Sequence, residues 1–217
     1  MLAPSERMSP DERPIVNIQG ERVALGPLRR DLVPTYQRWD TDFATNRTTA
    51  IARPVTLEQE AAGYDRAAMS DQDVLFTIYD LASWRPIGKT YLESIDLRNR
   101  TAEFGIVVGE EEYRGKGFGT EATRLVLGYA FTILGLHNVM LVVYEFNPAE
   151  RRAYEKAGFW EFGRRRQAHL MGGRLWDVIF MECLASEFTS PVLSHIFVPD
   201  QPRPEHVARQ RKYTEGS

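Results

Sequence analysis

Residues 107–122 read Val107-Val-Gly-Glu-Glu-Glu-Tyr-Arg-Gly-Lys-Gly-Phe-Gly-Thr-Glu-Ala122, and the fold is decided in this stretch. An apolar strand gives way to a charged, glycine-rich loop, and the loop opens a helix. The first N–H groups of a helix have no partners within it, so such a junction binds anions. Gly115, Gly117 and Gly119 bring no side chains between a diphosphate and the backbone. Arg114 and Lys116 add positive charge at the same mouth. The residues alone imply a phosphate cradle.

The spacing separates the kinds of cradle. A P-loop places Ser or Thr after Gly-Lys, whereas Gly117 follows Gly115-Lys116 here, and no glycine lies five residues before Gly115. A dinucleotide fingerprint is met by Gly117-Phe-Gly119-Thr-Glu-Ala122, with Glu145 about twenty residues on, where a ribose-binding acid belongs. That leaves a nicotinamide-dependent oxidoreductase as an alternative. Against it, the charged residues 110–116 separate the strand from the first glycine of the fingerprint. The motif also starts halfway along the chain, leaving little sequence for a full doubly wound sheet.

Downstream, a helix is expected from Thr120 to about Leu134, closed by Gly135. Asn138 to Tyr144 is an almost wholly apolar strand, and Pro148 opens a short helix that ends at Gly158. Phe159 to Arg166 and Leu175 to Leu184 read as a closing antiparallel pair around Gly172-Gly173. Upstream, Val74–Leu81, Ile87–Asp96 and Thr101–Val108 read as strands. Thr56-Leu-Glu-Gln59 has the form of a capping box that starts a helix to about Met69. Residues 40–55 show no period. Asp31 is expected to cap a helix carrying Leu32, Tyr36 and Trp39 on one face, after a first strand at Val23–Leu28. The order β-α-α-β-β-β-α-β-α-β-β describes one α/β (or α+β) domain with a mixed sheet, residues 20–185. Residues 1–19, with Pro4, Pro10 and Pro14, read as a flexible leader. Residues 186–217 read as a proline-rich tail, either loosely attached or packed as a strap.

Composition narrows the function. Among 217 residues, 27 Lys and Arg face 30 Asp and Glu, a formal charge of −3. That balance argues against a nucleic-acid partner. Cys183 is the only cysteine, so neither an intrachain disulfide nor a cysteine zinc site can form. His137, His169, His195 and His206 are scattered, and no metal is expected. No apolar run approaches the ~20 residues of a membrane helix. The expectation is a cytoplasmic chain with no membrane partner.

Arg114-Gly-Lys-Gly117-Phe-Gly119 matches [Gln/Arg]-x-x-Gly-x-[Gly/Ala], the loop that holds the acyl-CoA pyrophosphate in the GNAT superfamily of N-acetyltransferases. Asn147-Pro-Ala-Glu-Arg-Arg-Ala-Tyr154-Glu-Lys156-Ala-Gly158-Phe159 resembles that superfamily's later motif, Asn followed by Tyr-x-Lys-x-Gly-Phe. Thr101-Ala-Glu103-Phe-Gly-Ile resembles its central strand. The ending Gly172-Gly-Arg-Leu-Trp-Asp177-Val is similar to the branch containing ribosomal-protein and spermidine N-acetyltransferases. The resemblance spans roughly residues 20–185. It implies a mostly antiparallel central sheet flanked by helices and splayed at the acyl-CoA site. It also implies an acetyltransferase that moves the acetyl group of acetyl-CoA, its co-substrate, directly to a primary amine. The branch further suggests a homodimer.

The resemblance assigns roles. Arg114, Gly115, Lys116, Gly117, Phe118, Gly119 and Thr120 would hold the pyrophosphate. The backbone of Ile106, Val107 and Val108 would pair with the pantetheine amides like an added strand. Asn147 would bond the pantetheine arm, or else only cap the helix at Pro148. An alkylamine with a pKa near ~10.4 arrives protonated and must lose a proton before it attacks; Glu103 is expected to accept it, directly or through a water. Tyr154 is expected to reprotonate the leaving thiolate. Cys183 lies away from the loop, which favours direct transfer over a thiol relay. Trp39, Asp40, Asp42, Phe43, Tyr64, Glu93 and Trp176 are candidates to line the acceptor pocket. The acceptor remains open among a polyamine, an amino sugar, an amino acid and a protein N-terminus. A non-catalytic acyl-CoA sensor is the third alternative. Lys156, residues 110–112, His137 and His169 are read as surface or structural.

Overall fold

The computed structural model describes residues 13–47 and 53–198; the rest of the expected leader and tail lies outside them. The strands are β1 (Ile18–Gln19), β2 (Val23–Pro27), β3 (Val74–Asp80), β4 (Pro86–Asp96), β5 (Thr101–Val108), β6 (Asn138–Tyr144), β7 (Trp160–Met171) and β8 (Arg174–Leu184). The helices are α1 (Val33–Thr41), α2 (Phe43–Asn46), α3 (Leu57–Ala68), α4 (Phe118–Thr132), α5 (Pro148–Ala157) and α6 (Leu193–Ile196). One sheet runs in the order β1-β2-β3-β4-β5-β6-β8-β7. Every described pairing is antiparallel except β5 with β6.

Alternation along the strands separates two layers of helix. On β3, Phe76 and Ile78 join the main core with Leu125, Val126 and Leu127 of α4. Thr77 points the other way, its hydroxyl 2.6 Å from Tyr36 Oη on α1. There Val33, Tyr36 and Trp39 form a second, smaller core with Tyr64 of α3 packed against it. The main core continues through Val139, Leu141 and Val143 of β6 to Tyr154, Ala157 and Phe159. Cys183 is part of it, and burial pushes its thiol up to about 12.

The sheet splits near its middle. Thr101, Ala102 and Glu103 pair with Asn138, Val139 and Met140, and there the β5–β6 pairing ends. Beyond that point β5 stays with β4 as far as Val108, and β6 stays with β8 as far as Tyr144. A wedge opens between Phe104–Val108 and Leu141–Tyr144, leaving backbone groups of both strands unpaired on their facing edges.

Several expectations shift. Ile18–Gln19, inside the expected leader, pairs with β2 as an edge strand. Asp31 caps nothing: both its oxygens bond the Arg29 guanidinium, at 2.9 and 2.6 Å, and α1 starts after a short 3-10 turn with Leu32 at its uncapped N-terminus. Residues 43–46, which show no period, form α2 because Asp42 accepts from the N–H groups of Ala44 and Thr45. The capping box of α3 is present, with Gln59 N–H on Thr56 and Thr56 N–H on the Gln59 side chain. The closing hairpin is longer than expected. It turns at Gly172 and Gly173, whose φ values of +59° and +74° suit a tight two-residue hairpin. The first part of the tail is a strap: Phe188 lies 5.6 Å from Phe131 of α4, and Leu193 is buried against the same helix.

Candidate active site

The wedge continues into a cavity of about 1110 Å³ that reaches the N-terminus of α4. Its walls include Ile106, Val107, Val108, Arg114, Gly115, Gly117, Gly119, Thr120, Asn147 and Tyr154. Of the residues expected to serve catalysis or cofactor binding, three stand outside its lining: Glu103, Lys116 and Phe118.

The glycine-rich turn is built by backbone conformation. Gly115 and Gly117 have φ of +69° and +88°, and Gly117 is the N-cap of α4 with no side chain capping it. The first N–H groups of α4 are therefore free of side-chain competition. Arg114 braces this turn: Nε donates to Val108 O at 2.9 Å, and Nη2 to Gly109 O at 3.0 Å and Thr45 Oγ1 at 2.8 Å. Arg22, which the sequence reading missed, holds the turn from outside. Its Nη1 donates to Lys116 O at 2.9 Å, and its guanidinium lies 4.7 Å from the centre of the Phe118 ring. Glu121 completes the latch by accepting from the N–H groups of Glu21 and Arg22 at 2.7 and 2.9 Å. Arg22, Arg124, Arg152 and Lys156 all border the cavity, so a chain of net negative charge has a basic mouth here. A diphosphate fits that set of donors. Lys156 thus has a place at the site, which its reading as a solvated charge did not give it.

At the other end stands Tyr154. Its ring packs edge-on to Phe104 and Phe159, at 6.2 and 6.0 Å, and its hydroxyl donates to Glu150 Oε1 at 2.9 Å. Burial first, then the neighbouring Glu150, raise the phenol well above its ordinary value. Glu150 is half-buried by exposed area and borders the cavity. Burial raises its carboxyl, and hydrogen bonds from Tyr154 and Asn147 offset this only in part. Asn147 accepts from Glu150 N–H at 3.3 Å as the cap of α5 and donates to the Glu150 carboxylate, while its residue still borders the cavity. The sequence reading passed over Glu150, although its spacing of four from Tyr154 puts both on one face of a helix.

Glu103 is exposed and lies directly across from Glu93 on β4. Tyr91, two residues before Glu93 on β4, sits against Gly105, where an added Cβ would come within 2.1 Å of its ring. Burial pushes Tyr91 up to about 12, helped by Glu93, Asp40, Glu150 and Glu103 around it.

Most of the other acceptor candidates have structural partners. Trp39 Nε1 donates to Glu110 at 3.0 Å, Asp40 takes Lys89 at 2.6 Å, and Trp176 Nε1 donates to Met171 O at 3.1 Å. Asp42 caps α2, Tyr64 lies under Arg30, and Phe43 is exposed. Glu110 corrects the reading of residues 110–112 as a solvated face: it is buried and holds Arg38 and Arg85, each at 2.5 Å. Only Glu111 and Glu112 are exposed. His169 stacks 4.0 Å from Tyr144, a structural place. Ala44, Thr45 and Arg47 border the cavity unforeseen, since residues 40–55 gave no pattern.

The oxidoreductase reading does not survive this geometry. Gly117–Ala122 opens α4 beside a largely antiparallel sheet, and Glu145 accepts from Asp177 N–H on the hairpin. A split sheet that leads from a helix N-terminus to a buried phenol forms a channel with room for a long phosphorylated thioester. The acetyltransferase (GNAT) domain model matches residues 22–160, and the chain belongs to that family. It is accordingly an acyl-CoA-dependent N-acetyltransferase with acetyl-CoA as co-substrate.

The relatives differ in what they act on. The chain is 34% identical over 125 residues to a spermidine N(1)-acetyltransferase of Vibrio cholerae, covering 58% of this chain and 71% of that one. It is 30% identical over 152 residues to human alpha/beta-tubulin-N-acetyltransferase 9, covering 64% and 73%. Among solved structures, spermidine N-acetyltransferase from Vibrio cholerae in complex with CoA and spermine aligns with a TM-score of 0.71 and 28% identity. That alignment covers 76% of this chain and 97% of the other.

Proposed function

We propose that the acceptor is a polyamine and that Glu103 and Tyr154 serve as the base and the acid of direct transfer. The observation that carries the acceptor is the pair of facing carboxylates Glu93 and Glu103 beside Tyr91, whose charge matches a polycation. The likeness to a spermidine acetyltransferase supports the same choice.

In this reading the basic mouth and the free N–H groups of α4 hold the pyrophosphate. Ile106, Val107 and Val108 take the pantetheine amides along the open edge of β5, with Asn147 on the facing side. The ammonium group gives a proton to Glu103 through water, and the freed nitrogen attacks the thioester carbonyl. The C–N bond forms, the C–S bond breaks, Tyr154 protonates the sulfur, and the second proton shed by the nitrogen restores the phenol. Cys183 takes no part, since it is buried in β8 with its thiol held protonated. A cytoplasmic location and a homodimer belong to the same reading. The dimer draws support from Trp160 and Phe162, which are 70% and 54% exposed on the edge strand β7.

Thiol release measured across spermidine, spermine, an amino sugar, an amino acid and a short peptide names the acceptor. Spermidine or spermine is expected to exceed the peptide by at least tenfold in kcat/KM. A peptide preference would transfer the reading to a protein N-terminus. Equal rates in wild type and Tyr154→Phe would remove Tyr154 as the acid.

A further inference from the structure

Tyr154 is awkwardly placed to act alone. Its O–H points at a carboxylate, so losing the proton would leave a phenolate facing Glu150 at 2.9 Å. The thiol of coenzyme A, with a pKa of ~8.5 like cysteine, is also the stronger acid of the two, which makes transfer from a phenol uphill. A second proton donor behind the phenol removes both difficulties. Glu150 stands in that position, four residues earlier on α5 and on the cavity wall.

We infer that Glu150 carries the surplus proton of the attacking nitrogen to Tyr154 while Tyr154 protonates the departing sulfur. The inference rests on the assignment of Tyr154 as the acid. Once the C–N bond has formed, the nitrogen holds one proton too many, and the Glu150 carboxylate accepts it. The C–S bond breaks with its electron pair going to sulfur, Tyr154 gives its proton to that sulfur, and Glu150 returns the acquired proton to Tyr154. One proton has moved from nitrogen to sulfur, and both side chains end as they began.

The surroundings suit a carboxyl that changes protonation state. Among the described residues no ion pair locks Glu150 as a carboxylate. The groups facing it are Asn147 and Tyr154 on α5, Arg47 beyond α2, Tyr91 on β4 and Tyr144 on β6. The raised carboxyl makes Glu150 a better base than an exposed glutamate. It takes the proton from the nitrogen and passes it to Tyr154, so it is a proton carrier rather than a second acid to sulfur.

Glu150→Gln keeps the shape and still accepts a hydrogen bond, but it cannot carry a proton. Its single-turnover rate with acetyl-CoA and spermidine is expected to fall about 100-fold, with the KM for acetyl-CoA unchanged. Because the two residues form one path, Glu150→Gln/Tyr154→Phe is expected to be no slower than Tyr154→Phe alone. A Glu150→Gln rate within threefold of wild type, beside a slow Tyr154→Phe, overturns the inference and leaves the acid in place. A full-rate Tyr154→Phe overturns the acid itself. Losses that multiply in the double variant, or a lowered melting temperature with a raised KM, assign Glu150 to structure alone. Should Glu150→Gln not fold, wild type in H2O–D2O mixtures decides. A curved dependence of the single-turnover rate reports two or more protons in flight, and a straight line overturns the relay.

Discussion

Glu110 shows what a single residue can hide. It follows the end of β5 in a run of three glutamates and looks like surface, yet its carboxylate ties α1 to the β3–β4 turn through Arg38, Trp39 and Arg85. Burial alone would raise its pKa, but the bonds from Arg38 and Trp39 and the charges of Arg38 and Arg85 outweigh it, and the net shift is downward. The folded state therefore binds this proton less readily than the unfolded one. The associated stability is fully present above the ordinary value of 4.5 and is lost as pH falls through the lower folded value. Glu110→Gln is expected to lose about 1.5–3 kcal/mol at pH 7, in the range of hydrogen bonds to charged groups. Urea unfolding at pH 7 and below pH ~4 checks this, because the gap between variant and wild type should close in acid. A gap independent of pH would mean that shape, not charge, is what Glu110 contributes.

The turn before α4 is the element on which cofactor binding depends, and its glycines are not equivalent. An alanine at position 115 or 117 would be held at positive φ, a strain of about 1–2 kcal/mol. At Gly115 the new Cβ meets nothing within 4 Å, whereas at Gly117 it comes within 2.8 Å of Arg22 Nη2. Gly117→Ala is therefore expected to push Arg22 off Lys116 O and Phe118, raising the KM for acetyl-CoA several-fold more than Gly115→Ala. Equal effects would show that strain alone sets binding. Local signals of this kind were legible: the strands at 101–108 and 138–144, the capping box at Thr56, and the glycine-rich loop all follow from short-range rules. The start of α4 was misplaced by two residues because Phe118 and Gly119 read as loop. What escaped were pairings of distant parts, such as Arg22 with Lys116, Glu110 with Arg85, and the two-residue strand β1. None of these leaves a period in the sequence. Glu150 was an exception, since its i, i+4 relation to Tyr154 was readable and only its chemistry was overlooked.

At the scale of the molecule, the sheet is two half-sheets joined at Thr101–Glu103, with α4 packed on β2, β4 and β5, α5 on β6, and the two helices against each other. Anything that fixes α4 fixes the cradle at its N-terminus relative to Tyr154 on α5. The strap after β8 does this from the far side. Ser190 Oγ accepts from Leu193 N–H at 3.0 Å and lies so close to Gly128 that a Cβ there would come within 2.5 Å of it. Leu193 is 4% exposed, close to Gly128 of α4. Leu193→Ala is expected to destabilise the protein by about 2–3 kcal/mol, the lower part of the range for a buried leucine, because the strap can settle into part of the space. Denaturant unfolding measures it directly, through a lower midpoint at unchanged slope. A strap that merely rests on the surface would give a loss below ~0.5 kcal/mol, and α4 would then owe its position to the sheet alone.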